Sequence, residues 1–191
     1  MPRIVSIALI AVVVVVGVIA GRSMLTDDKS PVLIGGPFTL TDHTGKQVTD
    51  KDYAGKYMLI YFGYTFCPDV CPTSLSIIGD ALPLLDADQQ NKLVPIFITV
   101  DPERDTPEMM ASYVPNFHDK MVGLTGSLAE VKAVVKAYRA YFAKTGDDGS
   151  GIYTVDHSSR TYLMGPDGAY ITSFSHATPA ADIAKKLAEI L

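Results

Sequence analysis

The sequence predicts an α/β domain with a central mixed sheet flanked by helices, and three observations support that prediction. Two runs rich in apolar and strand-forming residues, a continuously apolar one at residues 57–63 and a second at 94–100, are typical of central strands buried on both faces. Segments with helical spacing of their apolar residues follow each run. The chain then ends in a strand pair and a helix. Strands that alternate with helices in this way place a sheet between layers of helices.

The first 22 residues contain an apolar segment long enough to cross a bilayer. The eighteen residues between Arg3 and Arg22 carry no charge, and only Ser6 among them is polar. A membrane-spanning helix needs about 17–25 apolar residues. We interpret residues 1–22 as an uncleaved N-terminal transmembrane helix. The alternative is a cleaved signal peptide with its cleavage site near residues 18–20, although the apolar region of such peptides is usually about 7–15 residues long.

The residues after this segment are expected to lie outside the cytoplasm. Residues 23–34 are polar and then marked by Pro and Gly, so they are predicted to form a tether to a domain at residues 35–191. No Arg- and Ser-rich transit peptide precedes the anchor. We therefore expect a single-pass protein of a bacterial inner membrane with its domain on the periplasmic side. Thiols in that compartment need a reductant or a metal to stay reduced.

An N-terminal hairpin is predicted to precede the first central strand. Residues 37–49 alternate apolar and polar side chains on either side of a turn at residues 42–45, which is the pattern of two short paired strands. The central strand at residues 57–63 then leads into Cys67 and Cys71. A helix follows the cysteines, and Pro83 is expected to shorten or kink it because proline lacks the main-chain donor.

Three more helices are predicted, of which the first follows the second central strand. The clearest helix starts with a capping box formed by Ser127 and Glu130, and its apolar stripe is predicted to continue to Phe142. The last helix is predicted to be capped at Thr178 and to follow a hairpin. A strand that runs into a cysteine pair at a helix start, with a terminal hairpin and helix, is the thioredoxin-like arrangement.

Charge excludes one class of partner and marks one loop. The net charge of −5 leaves no basic surface of the kind that binds nucleic acid, so no nucleic-acid partner is predicted. The charged loop at residues 101–105 (DPERD) follows the second central strand. It is predicted to lie near the cysteines, either as a docking surface or as a solvated loop.

Cys67 and Cys71 are the only two cysteines of the chain. As a structural disulfide they would close a loop of five residues, for which the chain-entropy relation gives only about 2 kcal/mol, against about 4.7 kcal/mol for a hundred-residue loop. A stabilising cross-link is therefore disfavoured. A redox couple and a pair of metal ligands remain.

Both remaining interpretations suit the position of the pair. A helix N-terminus is expected to lower the pKa of a thiol because the helix dipole favours the thiolate. Residues four apart share one face of a helical turn, so both sulfurs can point in the same direction. The two thiols can thus form a reversible disulfide or converge on one soft metal ion.

A metal site needs at least one further ligand. Structural zinc takes four protein ligands, and the four histidines show no suitable spacing, whereas Cu(I) is satisfied by two thiolates and one imidazole. His157 is the candidate, because the loop entering the terminal hairpin faces the cysteine turn in a thioredoxin-like fold. The other histidines are interpreted as an exposed turn residue, a helix-end residue and a surface or capping residue: His43, His118 and His176.

Two acidic residues adjoin these candidates. Asp69 lies between the thiols and is either a partner contact or a solvated turn residue. Asp156 is a candidate to orient the imidazole of His157, although neighbouring residues of an extended chain point in opposite directions.

The cysteine motif departs from that of ordinary thioredoxins, which have C-x-x-C, usually after Trp, and a cis-proline that faces the thiols. Here the spacing is C-x-x-x-C, the chain has no Trp, and no proline lies between Pro115 and Pro166. His157 stands in the loop where the substrate-binding proline is expected. Dithiol exchange stays open, but without its usual docking device.

Three ordered blocks resemble the Sco/SenC family of copper proteins: FGYTFCPDVCPTSL at residues 62–75, ITVDPERDTPE at 98–108 and VDHSSRTYLMGPDG at 155–168. The resemblance covers roughly residues 35–190, and an N-terminal membrane anchor is also typical of the family. Three blocks in order are far more specific than an isolated C-x-x-x-C.

The resemblance implies a thioredoxin-like domain that binds Cu(I) or Cu(II) through Cys67, Cys71 and His157. It also implies a metallochaperone that receives copper from an upstream donor and delivers it to the dinuclear copper site of cytochrome c oxidase subunit II. The alternative is a thiol-disulfide reductase, itself re-reduced by a thiol reductant, that acts on the cysteines of that site through the redox-active pair Cys67 and Cys71. A peroxidase-like thioredoxin relative is disfavoured, because so close a second cysteine suits metal binding or exchange better.

Overall fold

The computed structural model describes residues 33–146 and 153–191. The predicted anchor at residues 1–22 and nearly all of the predicted tether lie outside this range. Within the described residues, none of the helices combines the length and the apolar character that crossing a membrane requires.

A seven-stranded mixed sheet forms the centre of the described domain. Its strands are β1 (Thr39–Asp42), β2 (Gln47–Thr49), β3 (Tyr57–Gly63), β4 (Leu93–Thr99), β5 (Val122–Thr125), β8 (Thr161–Met164) and β9 (Tyr170–Phe174). They lie in the order β2-β1-β5-β4-β3-β8-β9. The central strands β3, β4 and β5 run parallel, and the other neighbours in the sheet pair antiparallel. The N-terminal hairpin, the two buried central strands and the terminal hairpin are all confirmed.

A separate two-stranded sheet holds β6 (Phe142–Thr145) and β7 (Thr154–His157). The two strands pair antiparallel, and His157 lies opposite Phe142 at one end of the pair. The candidate histidine is therefore carried by a small hairpin that is not part of the main sheet.

Five α-helices accompany the strands in the described part of the chain: α1 (Val70–Ala81), α2 (Ala87–Lys92), α3 (Pro107–Tyr113), α4 (Leu128–Ala137) and α5 (Ala180–Ile190). α1 and α5 pack against each other. α1 ends before Pro83, where a short 3₁₀ turn follows, as the sequence predicts. The capping box of α4 is also confirmed, because Ser127 Oγ accepts the Glu130 N–H and Glu130 Oε2 accepts the Ser127 N–H.

Two helix boundaries were predicted wrongly. α4 ends at Ala137 instead of continuing to Phe142, because Arg139 takes a left-handed conformation with φ of +52° and turns the chain. α5 begins one residue later than expected: Pro179 is its N-cap, and Thr178 Oγ1 bonds Ser175 Oγ at 3.0 Å instead of capping the helix.

The core lies around the central strands. Every residue of β3 after Tyr57 is buried, and β4 is buried except for Val94. Burial on both faces explains why these strands read as largely apolar runs rather than as alternating ones. The carboxyl end of β3 leads to the cysteine turn, so a strand buried on both faces supports the candidate site.

Candidate metal centre

The two cysteines lie in the connection from β3 to α1 and in the first turn of α1. Cys67 is in the turn and is half-buried, while Cys71 lies in the first turn of α1 and is buried. The Cys71 N–H donates to Cys67 Sγ at 3.4 Å. Gly63 makes room for Cys71, since a Cβ at residue 63 would lie 2.6 Å from Cys71 Sγ.

His157 faces the cysteines from β7. Its Nε2 lies 3.2 Å from Cys71 Sγ, and its Nδ1 lies 3.1 Å from the Ser158 carbonyl oxygen. A carbonyl oxygen only accepts, so Nδ1 donates and the neutral ring leaves its lone pair on Nε2, towards the thiol. The Ser158 carbonyl, and not Asp156, therefore orients the imidazole, and the predicted role of Asp156 is wrong.

The two sulfurs and one ring nitrogen converge, although they come from distant parts of the chain. Candidate ligand atoms of Cys67, Cys71 and His157 all lie within 4.8 Å of one another. Two thiols and one imidazole form a soft donor set of the kind that suits Cu(I). The structure thus brings together all three residues that sequence analysis singled out.

Burial shifts the pKa of both His157 and Cys71. Burial lowers the pKa of His157, which keeps its imidazole neutral and able to bind a metal. Burial raises the pKa of the Cys71 thiol, and this outweighs the helix N-terminus. The expectation of a lowered pKa is therefore wrong for Cys71, whose thiol proton leaves when a metal ion binds the sulfur or when the sulfur forms a disulfide.

Aromatic rings enclose the imidazole on its buried side. Tyr64 and Tyr61 meet His157 edge to face, with ring centroids 5.8 and 6.1 Å from that of the imidazole. An open cleft of about 500 Å³, which Tyr64 also lines, reaches Cys67, Asp69 and His157. Cys67 and His157 are thus accessible from the cleft, and Asp69 is an exposed residue of its lining.

The remaining histidines make contacts that sequence analysis did not predict. His176 Nδ1 lies 2.9 Å from the hydroxyl oxygen of Ser74 on α1, and His176 also lines the cleft. No sequence signal pointed to this contact, since 102 positions separate the two residues. His43 is half-buried, and its Nδ1 accepts the Gly123 N–H at 3.2 Å. His118 Nδ1 accepts the Lys120 N–H at 3.0 Å.

Asp101 and Asp105 of the charged loop at residues 101–105 are buried, so these two carboxylates are neither solvated nor available for docking. Asp101 forms an ion pair with Arg104. The Asp105 carboxylate accepts hydrogen bonds from the Thr65 N–H at 3.0 Å and from the Thr99 hydroxyl at 2.6 Å. The carboxylates of Asp101 and Asp105 point inward, whereas Glu103 is exposed.

Comparison with known proteins identifies the family. The SCO1/SenC family model matches residues 26–191. The chain belongs to the SCO1/SenC family. Its relatives include the human mitochondrial SCO1 homolog, which is 46% identical over 157 residues, or 82% of this chain and 52% of the human protein. The chain therefore spans about half the length of that SCO1 relative.

Solved structures of SCO1/SenC proteins share the fold. Bradyrhizobium japonicum ScoI with copper bound is 46% identical, with a TM-score of 0.76 over 83% of this chain and 99% of that one. BsSco, a member of the Sco family of cytochrome c oxidase assembly proteins in which a disulfide switch was identified, is 27% identical, with a TM-score of 0.64 over 82% and 92%. These likenesses confirm the predicted thioredoxin-like α/β fold with its central mixed sheet.

Proposed function

We propose that this protein is a copper metallochaperone that holds one copper ion, as Cu(I) or Cu(II), between Cys67, Cys71 and His157. The observation that supports this most directly is the convergence of the two sulfurs and His157 Nε2 within 4.8 Å. The copper bound to Bradyrhizobium japonicum ScoI supports the choice of metal.

The donor set also favours copper over zinc. A structural zinc site takes four protein ligands, and this group offers three. Two thiolates and one imidazole satisfy Cu(I), which accepts low coordination numbers and soft ligands. When copper replaces the thiol proton of Cys71, the positive charge of the ion compensates the buried thiolate.

The acceptor in this proposal is the dinuclear copper site of cytochrome c oxidase subunit II. The description of BsSco as a cytochrome c oxidase assembly protein supports the oxidase as partner. The open cleft beside Cys67 supports transfer by ligand exchange, because an incoming ligand reaches the ion from that side. An upstream donor supplies the copper. Residues 1–22 anchor the protein in a bacterial inner membrane, with the domain on the periplasmic side.

The second candidate function is reduction of the acceptor's cysteines, and the unequal burial of the two thiols favours it. Cys67 is half-buried beside the cleft, whereas Cys71 is buried. In this reaction the Cys67 thiolate attacks an acceptor disulfide and forms a mixed disulfide while one acceptor thiolate leaves. Cys71 then attacks Cys67, which releases the second acceptor thiol and leaves a Cys67–Cys71 disulfide for a thiol reductant to reduce.

His157→Ala separates the two candidates. For the chaperone, we expect the Cu(I) affinity to fall by more than the roughly 10–100-fold typical of losing a group that only supports a metal ligand. The affinity is measured by competition with a chromophoric Cu(I) chelator. The midpoint potential of the Cys67–Cys71 couple should change little, because both sulfurs remain.

His118→Ala is the matched control, because it removes a half-buried imidazole that lines no part of the cleft. It should leave the Cu(I) affinity unchanged. A His157→Ala protein that binds Cu(I) as tightly as the parent would contradict the three-ligand proposal. If that protein also reduced acceptor disulfides at the parental rate, the reductase would become the better description.

A further inference from the structure

The strand that carries His157 is attached to the domain mainly through its side chains and its loop contacts. Among the described strands, β7 pairs only with β6, so no main-chain ladder between described strands joins it to the seven-stranded sheet. Three residues join His157 to β8 of the main sheet, and beyond this covalent link the position of His157 depends on the side chains that contact β7.

Arg104 and Asp101 make several of these contacts, all with Tyr153, the residue that precedes β7. The guanidinium carbon of Arg104 lies 3.7 Å from the centroid of the Tyr153 ring, and Nη1 donates to the Tyr153 carbonyl oxygen at 3.2 Å. The Tyr153 hydroxyl donates to Asp101 Oδ1 at 2.8 Å. The ion pair between Arg104 Nε and Asp101 Oδ2 closes the set. The ring, the carbonyl oxygen and the hydroxyl of Tyr153 are thus all held by Arg104 and Asp101.

A second contact joins the same strand to the cysteine side. The Val155 N–H donates to the Tyr64 hydroxyl at 3.3 Å, and the Tyr64 ring meets the imidazole of His157. The guanidinium of Arg104 also lies 5.6 Å from the centroid of the Tyr64 ring. Arg104 therefore borders both rings that flank the path of β7 towards His157.

The loop that holds Arg104 is itself tied to the cysteine turn. Asp105, the next residue, accepts hydrogen bonds from both the N–H and the hydroxyl of Thr65, at 3.0 and 2.5 Å. Thr65 lies two residues before Cys67. The loop at residues 101–105 thus contacts the thiol side of the site through Asp105 and the imidazole side through Arg104.

We propose that Arg104 is a positioning residue, which sets the distance between His157 and the two thiols by holding Tyr153 and the start of β7. This inference rests on the proposed function, since it concerns the third ligand of the copper site. Arg104 touches no ligand itself and acts through the strand.

The geometry requires an arginine and not only a positive charge. The planar guanidinium stacks on the Tyr153 ring while it donates to both a carboxylate and a carbonyl, and a lysine ammonium cannot do both. Nη2 is buried and has no hydrogen-bond partner among the described residues. The guanidinium stays in place despite this unsatisfied donor because it stacks on the Tyr153 ring. Its Nε and Nη1 also bond Asp101 and the Tyr153 carbonyl oxygen.

The test is a double-mutant cycle between Arg104→Met and His157→Ala, with Cu(I) affinity measured by chelator competition. Methionine keeps an unbranched apolar side chain but removes the charge and the donors. We expect Arg104→Met to lower the Cu(I) affinity about tenfold, the lower end of the range for a group that orients a ligand. In the His157→Ala background the same change should have almost no effect, because the ligand through which Arg104 acts is gone.

Further measurements distinguish positioning from general stabilisation. Arg104→Lys should lose affinity nearly as Arg104→Met does, while the midpoint potential of the Cys67–Cys71 couple stays close to the parental value in both. Lys186→Met, which breaks the exposed ion pair with Glu189, is the control and should leave affinity unchanged. Equal losses from Arg104→Met with and without His157 would overturn the inference. If His157→Ala alone had no effect, the proposed copper site itself would fail.

Discussion

At the scale of single residues, Gly63 decides whether the buried thiol fits. A Cβ at this position would lie 2.6 Å from Cys71 Sγ and 3.0 Å from ring carbons of both Phe97 and Tyr61. All three neighbours are fully buried, so none can move aside into solvent. The site therefore depends on a residue that offers no atom to the metal.

We expect Gly63→Ala to weaken both the site and the fold. Overpacking a well-filled core typically costs about 1–3 kcal/mol, and here the atom closest to the new methyl group is Cys71 Sγ. Urea unfolding should show the loss of stability, and chelator competition should show a lower Cu(I) affinity. Gly36→Ala is the control, since its Cβ would meet only Ala137 Cβ, at 3.3 Å. Parental affinity in Gly63→Ala would mean that the backbone yields without moving the sulfur.

At the scale of elements, the end of α4 shows how a helix stops without the usual signal. The Ala140 N–H donates to the Val135 carbonyl at 3.0 Å and the Arg139 N–H donates to the Lys136 carbonyl at 3.1 Å. This is a Schellman motif, whose left-handed position usually holds glycine but here holds Arg139 with φ of +52°. β6, the strand that pairs with β7, can start at Phe142 because α4 ends at Ala137 and the chain turns at Arg139.

Arg139→Gly is expected to stabilise the protein. A left-handed conformation costs a residue with a Cβ roughly 1–2 kcal/mol, and the greater freedom of glycine in the unfolded chain offsets about 0.5–1 kcal/mol of that. The expected net gain is about 0.5–1 kcal/mol in urea unfolding. Arg139→Ala is the matched control, because it removes the same exposed side chain and keeps the strain. If the glycine and alanine variants were equally stable, strain at this position would not be the cause.

The same elements show what sequence alone can and cannot predict. The burial of β3 and the start of α1 at the cysteines follow from local patterns, since an apolar run and a helix start are properties of neighbouring residues. The end of α4 was missed because no Gly marks it. The inward-facing charges of Asp101 and Asp105 were missed because two of their partners, Tyr153 and Thr65, lie 52 and 40 positions away along the chain and carry no charge.

The three candidate ligands could be predicted from local spacing and from the fold class, but the neighbouring residue His176 could not. Cys67 and Cys71 are only four positions apart, at the start of α1, so their convergence is local. His157 could be named because the order of strands in a thioredoxin-like fold brings its loop to the cysteines. His176, which lines the same cleft, carries no such signal, because its contact with Ser74 depends on how α1 packs near the start of α5.

At the scale of the whole domain, the proposed copper ion would join two sheets that share no ladder. Cys67 and Cys71 belong to the junction of β3 and α1, while His157 belongs to the hairpin of β6 and β7. An ion bound by all three ligands cross-links the hairpin to the main sheet. Unfolding separates the ligands, so copper binding should stabilise the folded domain through mass action.

This coupling predicts a copper-dependent rise in the melting temperature. With free Cu(I) at about 100 times Kd, binding adds about 2.7 kcal/mol, and each kcal/mol raises the Tm of a domain of this size by about 2–4 °C. We therefore expect a rise of about 5–11 °C in differential scanning fluorimetry under a buffered Cu(I) concentration. At that same concentration His157→Ala should show a much smaller rise and Cys67→Ser almost none, because each loses affinity. A full rise in His157→Ala would show that the two thiols alone hold the ion, so the hairpin would not be part of the cross-link.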